Sequence, residues 1–188
     1  MNQIKEWLDK LTSEMPIGSQ STTQNGDRSG VQPIPAGYHT VTPNLIFRDS
    51  NKAIEFYKNA FNAKVLDLFK KSDSDAIMHA TLKIGDSIIM LGDEMSGEKD
   101  CPKSAETLGS SPIGFFLYVE NVDDACKKAV DAGAVSTMPV TDMFWGDRAG
   151  RIKDPFGYFW MIATHKQDLT KEQIKQNAED FFASRAKK

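Results

Sequence analysis

The stretch TPNLIFRDSNKAIEFYKNAFNAKV, residues 42–65, reads as a strand running into a helix. Thr40 to Phe47 is an apolar, β-prone run, and Arg48-Asp49-Ser50-Asn51 supplies a helix start. Ala53, Ile54, Phe56, Tyr57, Ala60 and Phe61 then recur at helical spacing until Asn62-Ala63 closes the turn. The same order returns 72 residues further on. Gly114 to Val119 (GFFLYV) is a strand, Glu120-Asn121-Val122-Asp123 opens a helix, and Ala125, Cys126, Ala129 and Val130 form its apolar face.

Each helix is followed by strand patterns. In the first half they fall at Lys64–Phe69, Ile77–Ile84 and Ser87–Leu91, with Gly85-Asp86 as a hairpin turn. In the second they fall at Val135–Val140, Arg148–Lys153 and Tyr158–Ala163, with the turn at Asp154-Pro155-Phe156-Gly157. The chain therefore reads as βαβββ written twice, module 1 over about 38–92 and module 2 over about 112–165. Neither unit buries a sheet face alone. The predicted fold class is α+β: two tandem modules forming a curved eight-stranded mixed sheet around a concave cavity, helices on the convex side.

Working outward, residues 34–165 make the domain proper. Ile4, Trp7, Leu8 and Leu11 recur at helical spacing and predict a short helix within 1–17. Residues 18–33, rich in Gly, Ser, Thr, Asn and Gln, read as a flexible linker. A C-terminal helix is expected over 168–186, capped by Asp168 or Thr170, with Ile174, Ala178, Phe181 and Phe182 as its apolar stripe.

Composition narrows the function classes. Of 188 residues, 40 % are hydrophobic and 26 % charged, the balance of an ordinary globular protein. A net charge of −3 gives no field that gathers a polyanion, so no nucleic-acid partner is expected. No apolar run approaches a membrane-spanning length, and Met1 to Lys10 lacks a secretory-signal pattern, so no membrane partner and a cytoplasmic location are expected. Two cysteines, Cys101 and Cys126, make neither a disulfide framework nor a cysteine metal site. Cys126 reads as core.

Residues 42–65, IGDSIIML (84–91), YVENVDDACKKAVDAGA (118–134) and WGDRAGRIKDPFGYFWMIATH (145–165) together resemble the vicinal oxygen chelate superfamily. That superfamily contains glyoxalases, bleomycin-resistance proteins, fosfomycin-resistance transferases and extradiol dioxygenases, and the likeness is to its PhnB-like subgroup. The resemblance implies the paired βαβββ fold, a homodimer, and a divalent metal held by His and Glu in the concavity. Carried onto this chain, those ligand positions fall at Thr42, Ile89, Gly114 and Met161, none of them a usual ligand for zinc, magnesium or manganese. No cofactor is therefore expected, and a divalent metal is retained only as part of an alternative.

Strand alternation places Thr42, Asn44, Phe116, Tyr118, Phe159 and Met161 on the inward face. His79 and Thr81 share a face in Ile77–Leu82; if Met78, Ala80 and Leu82 pack on the helix, His79 looks into the cavity and is the candidate acid–base residue. His39 and His165 read as edge or loop residues. Trp145 supplies aromatic bulk near the mouth. Arg148 is a cation that either holds an anionic group or forms a salt bridge with Asp147 or Asp154.

Two functions compete. The first is a small-molecule-binding protein that uses Thr42, Asn44, Thr81, Phe116, Tyr118, Trp145, Arg148 and Met161 without a family-type metal. The alternative is a lyase-, isomerase- or dioxygenase-like enzyme with an atypical metal site or metal-free acid–base chemistry on His79. A third reading is a dimeric scaffold whose terminal helices recruit a protein partner.

Overall fold

Helix α1, Ser50–Phe61, begins where the Asp49 side chain accepts a hydrogen bond from the Lys52 amide. It ends at Asn62, whose φ of 54° is the left-handed geometry asparagine tolerates. These residues belong to a computed structural model that describes residues 30–95 and 100–185. The helix expected within 1–17, and the linker up to residue 29, lie outside the described residues. Residues 30–35 belong to a separate unit and carry neither helix nor strand; the fold proper starts at Ala36.

Eight strands form two four-stranded mixed sheets. The first comprises β1 (Asn44–Phe47), β2 (Lys64–Lys70), β3 (Ile77–Ile84) and β4 (Ser87–Asp93), in the order β1-β4-β3-β2. The second comprises β5 (Gly114–Tyr118), β6 (Val135–Asp142), β7 (Asp147–Lys153) and β8 (Phe159–His165), in the order β5-β8-β7-β6. In each sheet the first and last strands pair in parallel and the rest antiparallel. The repeated βαβββ pattern is thus present in the backbone. The first strand is shorter than the apolar run, since Pro43 has no amide hydrogen and Thr42 turns its hydroxyl to the His39 carbonyl at 3.2 Å.

The 72-residue offset holds for the first strands and the helices and then slips. Asn44 stands beside Met90, and Phe116 beside Met161, so β4 and β8 correspond at 71. Thr81 opposes Met90 and Arg151 opposes Met161, so β3 and β7 correspond at 70. Two residues are thus lost between the helices and β3/β7, and the second hairpin turn, Asp154 to Tyr158, longer than Gly85-Asp86, restores one.

Helix α3, Val122–Asp131, capped by the Asn121 side chain, packs on β6, β7 and β8 and against α1. Between the sheets and these helices lies one core of Leu45, Phe47, Tyr57, Phe61, Leu82, Leu91, Ile152, Trp160 and Ile162. Cys126 is part of it, as expected. Asp154, 3 % exposed, joins the modules there. Its carboxylate accepts from the Tyr57 hydroxyl at 2.8 Å, Trp160 Nε1 at 3.0 Å, and the amides of Phe156 and Tyr158. Among the described residues no ladder links the two sheets. Instead the Tyr158 hydroxyl accepts from the Ile46 amide and donates to the Ile46 carbonyl.

The connector holds one short helix the sequence reading had no place for, α2 (Ala105–Leu108), in which Ser104 Oγ accepts from the Thr107 amide. The C-terminal helix α4 spans Lys171–Arg185 and starts at Thr170, not Asp168. Thr170 Oγ1 accepts from the Gln173 amide while Gln173 Oε1 accepts from the Thr170 amide, a reciprocal cap. Phe181 and Phe182 meet Phe144 at 5.6 and 5.7 Å between ring centroids. No described helix is long and apolar enough to cross a membrane.

Candidate functional site

Burial tells the two faces of each sheet apart. Ala80, Leu82 and Leu91 in the first sheet, and Ile152, Trp160 and Ile162 in the second, are buried toward the helices. Their alternates occupy the opposite faces. In the second sheet these are Phe116, Tyr118, Arg151, Phe159 and Met161, with Phe116 50 % and Tyr118 61 % exposed. Phe116, Arg151, Phe159 and Met161 line a depression of about 470 Å³ with Ser111, Pro112, Ile113, Gly114 and Phe115, a volume typical of small-ligand sites.

Arg151 and Lys153 are cations of this face, and the Lys153 ammonium stands 5.6 Å from the Phe159 ring centroid; Arg151 is the one that lines the depression. It lies across the ladder from Met161, its guanidinium carbon stands 5.8 Å from the Phe159 ring centroid, and Nε donates to Thr137 Oγ1 at 3.1 Å. Among the described residues it forms no ion pair with a carboxylate. Arg148 is differently placed. It neighbours Thr164, whose hydroxyl accepts from the first amide of α3, so its side chain is on the helix side. There it pairs with Asp123 at 2.8 Å and Asp142 at 3.1 Å, not with Asp147 or Asp154. These two bonds raise its pKa. Three residues separate Arg148 from Arg151, an odd step that turns them to opposite faces.

The other expected residues divide between the sheets. Phe116 and Met161 share the depression, and Tyr118 continues the row, its ring 5.0 Å from Phe116. Asn44 and Thr81 neighbour Met90 in the first sheet, Thr42 precedes β1, and none of them lines the depression. His79 has the orientation alternation gives it, opposite buried Ala80. Its Nε2 lies 3.1 Å from Thr81 Oγ1 and its ring 6.3 Å from Phe69, and among the described residues no carboxylate pairs with it.

At the end of the second sheet a polar cluster joins two expected residues, Tyr118 and Trp145, to Asp147 and His165, which were not among the candidates. Asp147, 3 % exposed, starts β7 opposite His165, the last residue of β8. Asp147 Oδ1 lies 2.7 Å from His165 Nδ1, and its Oδ2 accepts from Trp145 Nε1 at 2.8 Å and the Tyr118 hydroxyl at 3.1 Å. Burial alone would raise the Asp147 carboxyl, but the bonds from His165, Trp145 and Tyr118 outweigh it and hold it below the usual range. The same bond to Asp147, with one to Asp168, raises the His165 imidazole. His165 is therefore a strand residue tied to a buried carboxylate, not a loop residue. The signal was the β7–β8 register, which extends past Ala163 and pairs the two positions.

The slipped offset also corrects the metal positions. Ile89 is buried toward the helix side, and the residue beside Asn44 on the open face is Met90. The corresponding pair in the second sheet is Phe116 and Met161. An amide, two thioethers and a phenyl ring do not fit a divalent ion that wants imidazole and carboxylate. A larger hollow of about 690 Å³ lies between the end of α1 and the start of α3, lined by Phe61 and Leu117 together with Lys64, Lys83, Lys128, Glu120 and Asp124. Its walls carry both signs of charge and none of the aromatic row except Tyr118.

The two mixed four-stranded sheets, each built from one strand–helix–three-strand unit, define a two-module βαβββ protein. The chain belongs to the Glyoxalase/Bleomycin resistance protein/Dioxygenase superfamily, whose family model matches residues 38–162. The Mycobacterium tuberculosis protein Rv0887c is 33 % identical over 155 residues, covering 81 % of this chain and 87 % of its own length. The solved structure of the Arabidopsis thaliana gene product At5g48480 superposes with a TM-score of 0.54 at 27 % identity, over 67 % of this chain and 98 % of that one. The Bacillus cereus PhnB protein shares the fold, with a TM-score of 0.53 at 14 % identity over 67 % of this chain and 99 % of its own.

Proposed function

We propose that this chain binds a small, flat organic anion on the open face of its second sheet, without a family-type metal. The observation that carries the reading is Arg151, a guanidinium with no carboxylate partner among the described residues. It stands beside exposed Phe116 and half-buried Phe159 and Met161 in a depression of about 470 Å³. Aromatic and thioether groups take the apolar body of such a ligand, and the guanidinium fork takes its carboxylate. Arg148 has no part in this, since Asp123 and Asp142 already occupy it. The proposal includes a homodimer, because a row as exposed as Phe116 and Tyr118 suits closure by a second copy; sedimentation tests that component.

Isothermal calorimetry with 2-naphthoate tests the binding. The wild-type protein takes up the probe saturably, and Arg151→Ala weakens it about tenfold or more, the usual effect of losing a charged hydrogen-bond donor. Equal affinity in the two proteins overturns the assignment of Arg151, and no uptake by the wild type overturns the reading.

A further inference from the structure

We propose that His165, oriented by Asp147, is the proton-accepting residue of a hydrolytic activity toward aromatic esters seated on the second sheet; this rests on the binding reading above. The Asp147 carboxylate is buried and takes hydrogen bonds from three side chains on three different segments. An Asp so fixed holds the proton of neutral His165 on Nδ1 and leaves the Nε2 lone pair for chemistry. His165 is half exposed, and the Asp168 carboxylate 3.1 Å from Nε2 is an acceptor that partners the protonated nitrogen; loss of that proton releases the fully solvent-facing Asp168 side chain to water and frees the lone pair. Among the described residues His79 has no such carboxylate to orient it, so the acid–base role passes to His165.

The position relative to the binding row sets the ligand class. Phe116 and Met161 pair across the parallel ladder, Tyr118 and Ala163 form the next pair on that face, and His165 follows. Each such step is roughly 6.6 Å, the length of an aryl group. An aryl ring over Phe116 and Met161 therefore sets its ester carbonyl beside Tyr118 and within reach of water on His165. In the reaction, Nε2 takes a proton from that water and the water oxygen bonds to the acyl carbon. The acyl–oxygen bond then breaks, the aryloxide leaves with the electron pair, and the imidazolium returns its proton to solvent or to the aryloxide. The groups that face the imidazole are Asp147 of β7 and Asp168 beyond β8, with Tyr118 of β5 acting through Asp147.

Release of 4-nitrophenolate from 4-nitrophenyl acetate, followed against pH in the full chain, tests this, together with an NMR titration of the His165 ring protons. The wild-type rate rises with pH through a midpoint that coincides with the His165 titration and lies above the ordinary imidazole value. His165→Gln lowers the protein-dependent rate at least tenfold. Asp147→Asn moves the midpoint to lower pH, because the carboxylate that favours imidazolium is gone; a purely structural role would not move it. Retention of the rate in His165→Gln, or its loss in His79→Gln instead, overturns the proposal. If His165→Gln fails to fold, disagreement of the two wild-type midpoints overturns it equally. Saturable 2-naphthoate binding without His165-dependent hydrolysis sinks this inference alone, whereas His165-dependent hydrolysis without naphthoate binding sinks the binding reading instead.

Discussion

Replacing Tyr57 by Phe removes one hydroxyl from the centre of the molecule and tests what joins the two modules. Tyr57 is wholly buried, and its hydroxyl donates at 2.8 Å to Asp154, itself only 3 % exposed. A hydrogen bond to a charged acceptor contributes about 1.5–3 kcal/mol. Trp160 Nε1 still holds the same carboxylate oxygen in the variant, so the lower half of that range applies and the loss is about 2 kcal/mol. For a unit of this size that lowers Tm by roughly 4–8 °C. Thermal unfolding followed by circular dichroism, with a urea titration to check that the slope is unchanged, measures it. The pH dependence adds a second readout. Burial raises the Asp154 carboxyl despite its donors. Stability from this group is accordingly greatest below the ordinary carboxyl value and falls as pH rises toward the raised one. The hydroxyl supports the charged form, so Tyr57→Phe is costlier at pH 7 than at pH 4. A Tm within 1 °C of wild type at pH 7, or a larger loss in acid, refutes the clamp.

Three other outcomes follow from the geometry. Arg148→Ala lowers stability only slightly, because its partners are partly solvated; the loss shrinks in high salt, and 2-naphthoate affinity stays at the wild-type value in calorimetry. Thr170→Ala removes the cap of α4 for about 1 kcal/mol, seen as faster hydrogen exchange of the α4 amides with β8 unchanged. Glu94 is held down to about 2 by bonds from Thr107 and Ser104. Its contribution is therefore complete above the ordinary Glu value and lost as pH falls from there toward 2. Glu94→Gln flattens that part of the acid-unfolding curve, and an unchanged curve contradicts the role given to this carboxylate.

The sequence carried the fold through period and repetition. Strand–helix–strand order repeats at a fixed offset wherever turn lengths match, so β1, α1, β5 and α3 were legible to within a few residues. The offset misled beyond the helices, where it falls to 70 at β3 and β7 and returns only to 71 at β4 and β8, which made Ile89 look like a face residue. Half of the candidate site was legible for the same reason: Phe116, Tyr118 and Met161 alternate correctly with buried neighbours. Arg148 and Arg151 were told apart only by register, since three residues separate them and the eye favours the arginine nearer the aromatic turn. The Asp147–His165 pair was hidden because it joins two strand ends 18 residues apart, and neither residue type nor local spacing signals that contact.

The most direct test of the central claim is a ¹⁵N-HSQC titration of the protein with 2-naphthoate. The account predicts saturable shifts confined to the amides of Phe116, Arg151, Phe159, Met161 and their strand neighbours. Shifts clustered around Phe61, Lys83 and Lys128 in the hollow between α1 and α3, or no saturable shifts, would contradict it.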